Sequence, residues 1–465
     1  MITALDASVI DANSEAAGVG LPILMKNAGK AVVTVLSVKF PKSRIAIVCG
    51  TGNNGGDGIM AAKSLDPKRV TVFLLRPASE IRSEFVRRTL SELKCPIKDF
   101  SEFDGRKFDV LVDCALGTGI KGDIRPPYDL FIKTANTFRG TVVSVDVPSG
   151  LGTYMAVKPA ITITFHDTKE GMNKDNSGEI LVMDIGIPKE ACDNVGPGDM
   201  LRYPIPAMDS HKGSNGKLLV IGGGPYYGAP AMAAMAAMRV GTDIVRLAVP
   251  ENCAPVVATF CPVLMITELS GKTIRIVHLN QLLDLSRDFD AVLIGPGMGA
   301  SPVTIGLIKE FVNSCKLPMV VDADGLSALG KDFVSFGRTI LTPHIKEFQR
   351  LGGNPDRTIA SVNELAAKTN SIILLKGMDD LISNGERCVT NATGNAGMTS
   401  AGTGDVLSGI VAGLLSKGMT CFDAAALGAF ISGKAGELAF GEKSYGLIAT
   451  DVIDAIPKIL KQYLR

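Results

Sequence analysis

The residues best placed to do chemistry begin in a stretch near the C-terminal end. Asn395-Ala396-Gly397-Met398-Thr399-Ser400-Ala401-Gly402-Thr403-Gly404-Asp405 carries small residues and glycines up to one carboxylate. Val406, Leu407, Ile410, Val411, Leu414 and Leu415 then continue at helical spacing. That order describes a loop feeding backbone N–H groups into a helix N-terminus, which attracts anions. Glycine lets the backbone approach a phosphate closely, and Asp405 stands where a base could face the group that receives it. A plain glycine turn with a carboxylate near a helix start would read the same way.

A second such stretch lies early in the chain. Gly50-Thr51-Gly52-Asn53-Asn54-Gly55-Gly56-Asp57-Gly58 follows the apolar run Ile45–Cys49 and precedes a helical pattern through Ile59, Met60, Ala62 and Leu65. This contains G-x-G-x-x-G in strand–loop–helix context, a place for phosphate or pyrophosphate. The acidic residue expected after the next strand is missing, since Val70–Leu75 runs into Arg76. An ordinary dinucleotide site of the Rossmann type is therefore not expected. Two later strands, 108–113 and 141–146, end in Asp113 and Asp146. Either Asp alone could cap a turn, but two carboxylates at strand ends beside a glycine-asparagine loop point to a site.

The elements that must position these groups alternate in type. Residues 1–40 read as helices, and strands alternate with helices up to the run 160–165. Arg202-Tyr203-Pro204-Ile205-Pro206-Ala207-Met208-Asp209-Ser210 reads as a proline-containing crossover. Alternation resumes with strands at 218–221, 244–249, 291–294, 319–322, 340–341 and 372–375. The methionines of the helix 231–240 are read as core packing. The expectation is an α/β protein of two domains, 1–208 and 209–465, each a three-layer αβα sandwich, the first Rossmann-like.

Composition sets bounds on partners. A chain of 465 residues is long for one core. A formal net charge of +1 gives no electrostatic support for a nucleic-acid partner. The nine cysteines are scattered, with no CxxC pair or Cys/His cluster, so free thiols in a reducing compartment are expected. No basic-then-apolar leader is evident and no uninterrupted apolar run spans a bilayer, so a cytoplasmic, membrane-free location is expected. The chain is also expected to form a homo-oligomer.

Four motifs carry a resemblance. Gly52–Gly58, Asp113 with Gly117-Thr118-Gly119-Ile120-Lys121-Gly122-Asp123, Val145-Asp146-Val147-Pro148-Ser149-Gly150 and Asp184-Ile185-Gly186-Ile187-Pro188 resemble, in order and spacing, the NAD(P)H-hydrate epimerase family over roughly the first 200 residues. One departure is Lys26, where the family usually has Glu. It lies in a helix away from the phosphate loop and bears on local or subunit contacts. The resemblance implies that Asn53, Asn54, Gly55, Gly56 and Asp57, with Gly117–Asp123, hold the substrate's phosphates and ribose. It also implies Asp146 as acid/base and K+ near Asn54, Asp113 and Ser149.

The later half resembles the ADP- or ATP-dependent NAD(P)H-hydrate dehydratases, which are ribokinase-like. Its motifs are Gly295-Pro296-Gly297-Met298-Gly299, Val321-Asp322-Ala323-Asp324-Gly325-Leu326, Leu341-Thr342-Pro343-His344-Ile345-Lys346-Glu347, Leu375-Lys376-Gly377 and the Gly402–Asp405 loop. Ser400-Ala401 stands where Thr-Gly is more usual, a conservative change. The resemblance implies nucleotide contacts at Lys376, Gly377, Met378, Asp379, Asp380, Gly402, Thr403 and Gly404. Ala229, Gly299, His344 and Asp405 would contact the hydrated cofactor, with Asp405 as base and Mg2+ bridging the phosphates of ADP or ATP. No Walker A sequence occurs.

Hydroxide leaves poorly and phosphate leaves well, so a dehydratase gains from a kinase-like fold. Two other readings stay open at this point. The second domain could be a kinase of a small hydroxylated vitamin precursor, distinguished by a stable phosphorylated product. The first could be a non-catalytic scaffold, against which the retained Asp113, Asp146 and glycine-asparagine loop argue.

Overall fold

The computed structural model describes residues 1–119 and 122–464. The chain divides into two compact units, Met1–Ala191 and Cys192–Arg465. The first opens with helices α1 (Ala4–Ala16) and α2 (Leu21–Lys39). It then alternates β1 (Ile45–Cys49), α3 (Asn53–Ser64), β2 (Val70–Leu74), α4 (Glu84–Ser91), β3 (Ile97–Asp99), β4 (Val110–Cys114) and α5 (Tyr128–Thr137). Strands β5 (Thr141–Val145), β6 (Ile161–Phe165) and β7 (Glu179–Met183) complete the sheet.

All seven strands are parallel, in the order β3-β2-β1-β4-β5-β6-β7. A strand covered on both faces needs apolar residues throughout, and β1 is buried at every position. Alternation sends Ile45, Ile47 and Cys49 into one core with α2 and α3, and Ala46 and Val48 into another with α5. Strand order reverses between β1 and β4, and their carboxyl ends open the crevice where ligands gather. By length and composition α2 would pass for a membrane span. Its Leu24, Met25, Ala28, Val32 and Leu36 are instead buried in the core shared with α3.

The second unit holds strands β8 (Lys217–Ile221), β9 (Ile244–Pro250), β10 (Met265–Leu269), β11 (Ala291–Ile294), β12 (Met319–Val321), β13 (Thr339–Leu341), β14 (Ile372–Leu375), β15 (Asp380–Ser383) and β16 (Cys388–Asn391). Their order is β10-β9-β8-β11-β12-β13-β14-β15-β16. Pairing is parallel as far as β14 and antiparallel through β15 and β16. On one face the helices Gly228–Arg239, Thr403–Ser416, Cys421–Lys443 and Ala449–Tyr463 share a core, against which Met232, Met235 and Met238 pack. The methionine spacing is core packing, as expected. The opposite face is covered by helices that include Pro302–Ser314 and Ile359–Thr369.

The division falls before the expected boundary at 208. Val195 donates to the Thr390 carbonyl at 2.9 Å, and buried Tyr203 donates its hydroxyl to Val240 O at 2.9 Å. Arg202 Nη1 reaches Asp423 at 3.4 Å. Prolines make this segment extended, but its side chains anchor it to the second unit.

Candidate active sites

In the first unit, the loop after β1 turns directly into α3, with Gly52 as the N-cap. The turn is tight: a Cβ at Gly58 would lie 2.7 Å from the Cys114 sulfur, so only glycine lets α3 settle between the ends of β1 and β4. Asn54, just inside the helix, donates its amide to Leu116 O at 2.9 Å. That bond turns Asn54 Oδ1 inward, where it is buried without a partner among the described residues. Beside it, Asp113 is fully buried at the end of β4. Its carboxylate accepts from Ser149 N at 2.9 Å, Ser144 Oγ at 2.8 Å and Ala115 N at 3.2 Å, and Ser149 Oγ lies 2.5 Å from it. Burial raises the Asp113 carboxyl against these bonds, which lower it.

An orphaned amide oxygen, a buried carboxylate, a serine hydroxyl and the Leu116 carbonyl make a hard-oxygen donor set. That chemistry suits a monovalent cation such as K+, and an unpaired buried oxygen is costly without one.

Above this cluster lies a cavity of about 840 Å³. Asn53, Asn54, Asp57, Gly117, Thr118, Gly119 and Asp146 line it together. Gly55 and Gly56 are buried in the first turn of α3 and do not line it. Gly122 and Asp123 are exposed and also stand apart from it. Ile120 and Lys121 fall outside the described residues. Asp146 follows β5 with a left-handed backbone, φ 63°, a conformation that costs about 1–3 kcal/mol and recurs at functional sites.

Sequence reasoning missed three groups here. Lys169 Nζ lies 2.5 Å from Asp146 Oδ1, with its side chain 5% exposed. It also donates to Thr164 Oγ1 at 3.0 Å and Phe165 O at 2.8 Å. Asp11 of α1 and His166 line the same cavity. Burial raises the Asp11 carboxyl to about 6; the Asp146 charge adds to this and Lys169 opposes it. Asp57 is raised well above the usual range by burial, then by Asp146 and Asp11. The available signal for Lys169 was its place just past a strand end, where a cation is as informative as a carboxylate.

In the second unit, the loops after β8 and β11 adjoin at the strand-order reversal. Gly223 N donates to Pro296 O at 2.9 Å, and Gly299 N donates to Asp324 Oδ2 at 2.8 Å. Ala229 sits in the first turn of the helix Gly228–Arg239. After β12, Asp322 and Asp324 flank Ala323, which is held at φ 51°. His344 caps the helix Ile345–Arg350: its Nδ1 accepts from Lys346 N at 3.1 Å and Glu347 N at 3.3 Å. Its Nε2 lies 3.5 Å from Glu347 Oε1.

Lys376 directly follows β14 and pairs with Asp322 at 2.9 Å. Burial disfavours its ammonium, but Asp322, Glu347 and Asp405 together raise it above the ordinary value. The turn Lys376–Asp380 is stapled by Arg357, which donates to Lys376 O at 3.1 Å and Asp379 O at 2.8 Å. Asp380 accepts from Gly377 N at 3.0 Å, which leaves Met378 91% exposed at the tip.

Opposite Lys376, Gly402 takes φ 94° as the N-cap of the helix Thr403–Ser416. Only glycine adopts that conformation without strain. A Cβ at Gly404 would lie 3.6 Å from Lys376 Nζ, so an ammonium and a helix N-terminus meet at one point, an anion site. Asp405 faces that point. Burial raises its carboxyl to about 7; Asp322 adds, Lys376 opposes and Asp324 adds further. Asn395 Nδ2 and Ser400 Oγ of the same loop are buried without partners among the described residues. Asp322, Asp324 and Glu347 were legible as motifs but had not been assigned to the site.

Two doubly wound α/β units with glycine loops at the strand-order reversals, one joined to a lysine-backed anion site, define a nucleotide-handling enzyme class. Residues 218–458 match the family described as NAD(P)H-hydrate dehydratase, and residues 22–171 match that described as YjeF-related protein N-terminus. The bifunctional NAD(P)H-hydrate repair enzyme of Archaeoglobus fulgidus is 39% identical over 99% of this chain and 98% of its own length.

The chain thus belongs to the bifunctional NAD(P)H-hydrate repair enzymes. The crystal structure of the ADP/ATP-dependent NAD(P)H-hydrate dehydratase from Bacillus subtilis, grown with ATP and Mg2+, is similar at 26% identity and a TM-score of 0.52, covering 58% of this chain and 98% of that one. A ribokinase-like protein from Enterococcus faecalis V583 has the same fold at 24% identity and a TM-score of 0.53, over 58% of this chain and 96% of that one.

Proposed function

We propose that the first unit interconverts the R and S epimers of hydrated NADH and NADPH, and that the second dehydrates the S form at the expense of ADP or ATP. The observation carrying this reading is Asp405, a half-buried carboxyl raised to about 7 beside an anion site built from Lys376 and the Gly402–Gly404 backbone. A base with that proton affinity is matched to a hydroxyl near neutral pH. Asp405 would take the ring hydroxyl's proton as its oxygen attacks the terminal phosphoryl group. Lys376 and the N–H groups of Gly402–Gly404 would stabilise charge on the phosphoryl oxygens. Phosphate would then leave as the nitrogen lone pair forms the carbon–nitrogen double bond, and the adjacent ring carbon would lose a proton to water to re-form the ring double bond.

The Lys376–Asp380 turn would hold the nucleotide, and Ala229, Gly299 and His344 the hydrated cofactor. Mg2+ would neutralise phosphate charge, held mainly by the phosphates and its own water shell. In the first unit, Asn53–Asp57 and Gly117–Asp123 would hold the substrate's phosphates and ribose. Asp146 would exchange protons with the leaving and returning water. K+ would be held by Asn54 Oδ1, Asp113 and Ser149 and would fix the phosphate loop. The free thiols suit a cytoplasmic location.

The experiment is to mix the chain with both epimers of hydrated NADH, K+, Mg2+ and ADP or ATP, then follow recovery of reduced-nicotinamide absorbance. Complete recovery is expected. A stable phosphorylated alcohol as end product would overturn the dehydratase reading. Recovery stalling at one epimer would overturn the epimerase reading.

A further inference from the structure

Epimerisation at a ring carbon that bears hydroxyl has two proton demands. Water adds to an enamine at the carbon next to nitrogen, so the hydroxyl-bearing carbon is bonded to the ring nitrogen. Departure of the hydroxyl needs a proton donor, and the water that returns to the other face must lose a proton. Asp146 alone can serve one of these at a time, and it is held by Lys169 at 2.5 Å. Lys169 directs its three donors to Asp146, Thr164 Oγ1 and Phe165 O, which leaves none to reach the substrate.

The structure places another carboxyl group in the same cavity. Helix α1 is fixed at its start by a capping box between Thr3 and Asp6. Ile2 N donates to Thr168 O and Glu170 N to Ile2 O, each at 2.9 Å. The helix is therefore docked on the segment that carries Lys169, and its Ser8, Ile10 and Asp11 form part of the cavity wall. Among the described residues the Asp11 carboxyl has no hydrogen-bond partner, in a cavity whose other charged or titratable groups are Asp57 of α3, Arg82 ahead of α4, Tyr128 of α5, Asp146 after β5 and His166 and Lys169 after β6.

We propose that Asp11 is a second catalytic carboxyl group of the epimerase site, protonating the ring hydroxyl as it leaves while Asp146 accepts the proton of the water that returns. This rests on the epimerase reading above. The Asp11 O–H bond breaks as its proton joins the hydroxyl. The carbon–oxygen bond breaks and the nitrogen lone pair forms the carbon–nitrogen double bond. Water then adds to the opposite face, the electron pair returns to nitrogen, and the surplus proton passes to Asp146. The two carboxyl groups have exchanged one proton, and the next molecule can be turned in the opposite sense. Asp11 is solvent-exposed, yet desolvation by the surrounding protein and the Asp146 charge raise its carboxyl to about 6, toward the proton-bearing state.

The test measures kcat and KM for epimerisation against pH, by chromatographic separation of the epimers, with the spontaneous rate subtracted. Full-length wild type, Asp11→Asn and Asp11→Glu are compared. Asp11→Asn is expected to lower kcat about 10²-fold or more with KM little changed. The fall in wild-type activity as pH rises past about 6 should vanish in Asp11→Asn and return in Asp11→Glu. The calorimetric melting transition of the first unit, followed in each full-length variant, reports that the unit carrying Asp11 is folded. Asp11→Asn that keeps the wild-type pH limb, or loses activity only through KM, overturns the proposal. A wild type that interconverts the epimers no faster than buffer overturns the epimerase reading itself.

Discussion

The two units solve the same positioning problem but pair lysine with carboxylate differently. In the first, Lys169 binds Asp146, the carboxylate assigned to proton transfer. In the second, Lys376 binds the neighbouring Asp322, and the Asp405 carboxylate has no hydrogen bond among the described residues. On the functions proposed above, the difference follows from the ligand each unit would meet. Where no phosphoryl group moves, lysine can be spent on orienting the acid/base. Where one does, the ammonium must stay beside the helix N-terminus, and a second Asp holds it there. Asp405 then keeps the raised proton affinity that an ion pair would cancel.

The largest expected effects break this comparison cleanly in two. Asp405→Asn should cut dehydration by about 10²–10⁴-fold while nucleotide binding persists, because the Gly402–Gly404 backbone is unchanged. Epimerisation should be untouched. Asp146→Asn should do the reverse, lowering epimerisation about 10²-fold or more and sparing dehydration. Calorimetric ADP binding and separate assays of the two reactions check both. If Asp405→Asn abolishes nucleotide binding, the residue holds nucleotide or metal and the contrast drawn here fails.

Much of this frame was legible in the sequence. The central strands β1, β4, β5, β8, β11 and β14 are buried apolar runs, and the loops that follow several of them carry the site. What escaped lies at edges. The three residues of β3 are all exposed, β7 has no buried residue, and β10 has only Leu269 buried, so none shows the apolar run that marks a parallel strand. Strands β15 and β16 reverse direction, which alternation of strand and helix does not foresee. Among site groups, Asn54 and Asp113 were found because glycines and strand ends flagged them. Asp11 was not, because it sits mid-helix and reaches the cavity only through the docking of α1, a tertiary fact. Lys169 lies behind a strand with no acidic end.

A smaller effect sharpens the lysine contrast. Lys169→Met should lower epimerisation about tenfold or more through a misplaced Asp146, with dehydration intact. Lys376→Met should instead weaken ADP binding about tenfold, the scale of one charge-assisted hydrogen bond. Equal losses of kcat and of ligand affinity in both variants would mean that the two lysines do the same job.

Smaller again is the effect of where the units are separated. A fragment starting at residue 192 keeps Val195, Met200 and Tyr203 in its core, whereas one starting at 209 loses them. Burying each such side chain is worth about 1.5–3 kcal/mol. The shorter fragment should therefore melt several degrees lower by calorimetry. Equal midpoints would restore the boundary expected at 208.

The least conspicuous expectation concerns stability without ligand. Asp405 is raised to about 7 in the folded chain, whereas an exposed aspartate titrates near 3.9. Between those values the folded chain binds a proton that the unfolded chain releases, so folding stability falls as pH rises. The contribution is full below about 4 and gone above about 7, the opposite of a salt-bridged carboxylate. Asn at this position mimics the protonated group and cannot ionise. The melting temperature of Asp405→Asn relative to wild type should thus climb between pH 4 and 7, then level off, with an advantage of a few degrees at pH 8. Taking the difference between the two proteins removes the titration of Asp57, Asp113 and other groups common to both. A difference that stays flat across that range would show Asp405 ionised throughout, and the second unit would then hold its carboxylate as the first holds Asp146.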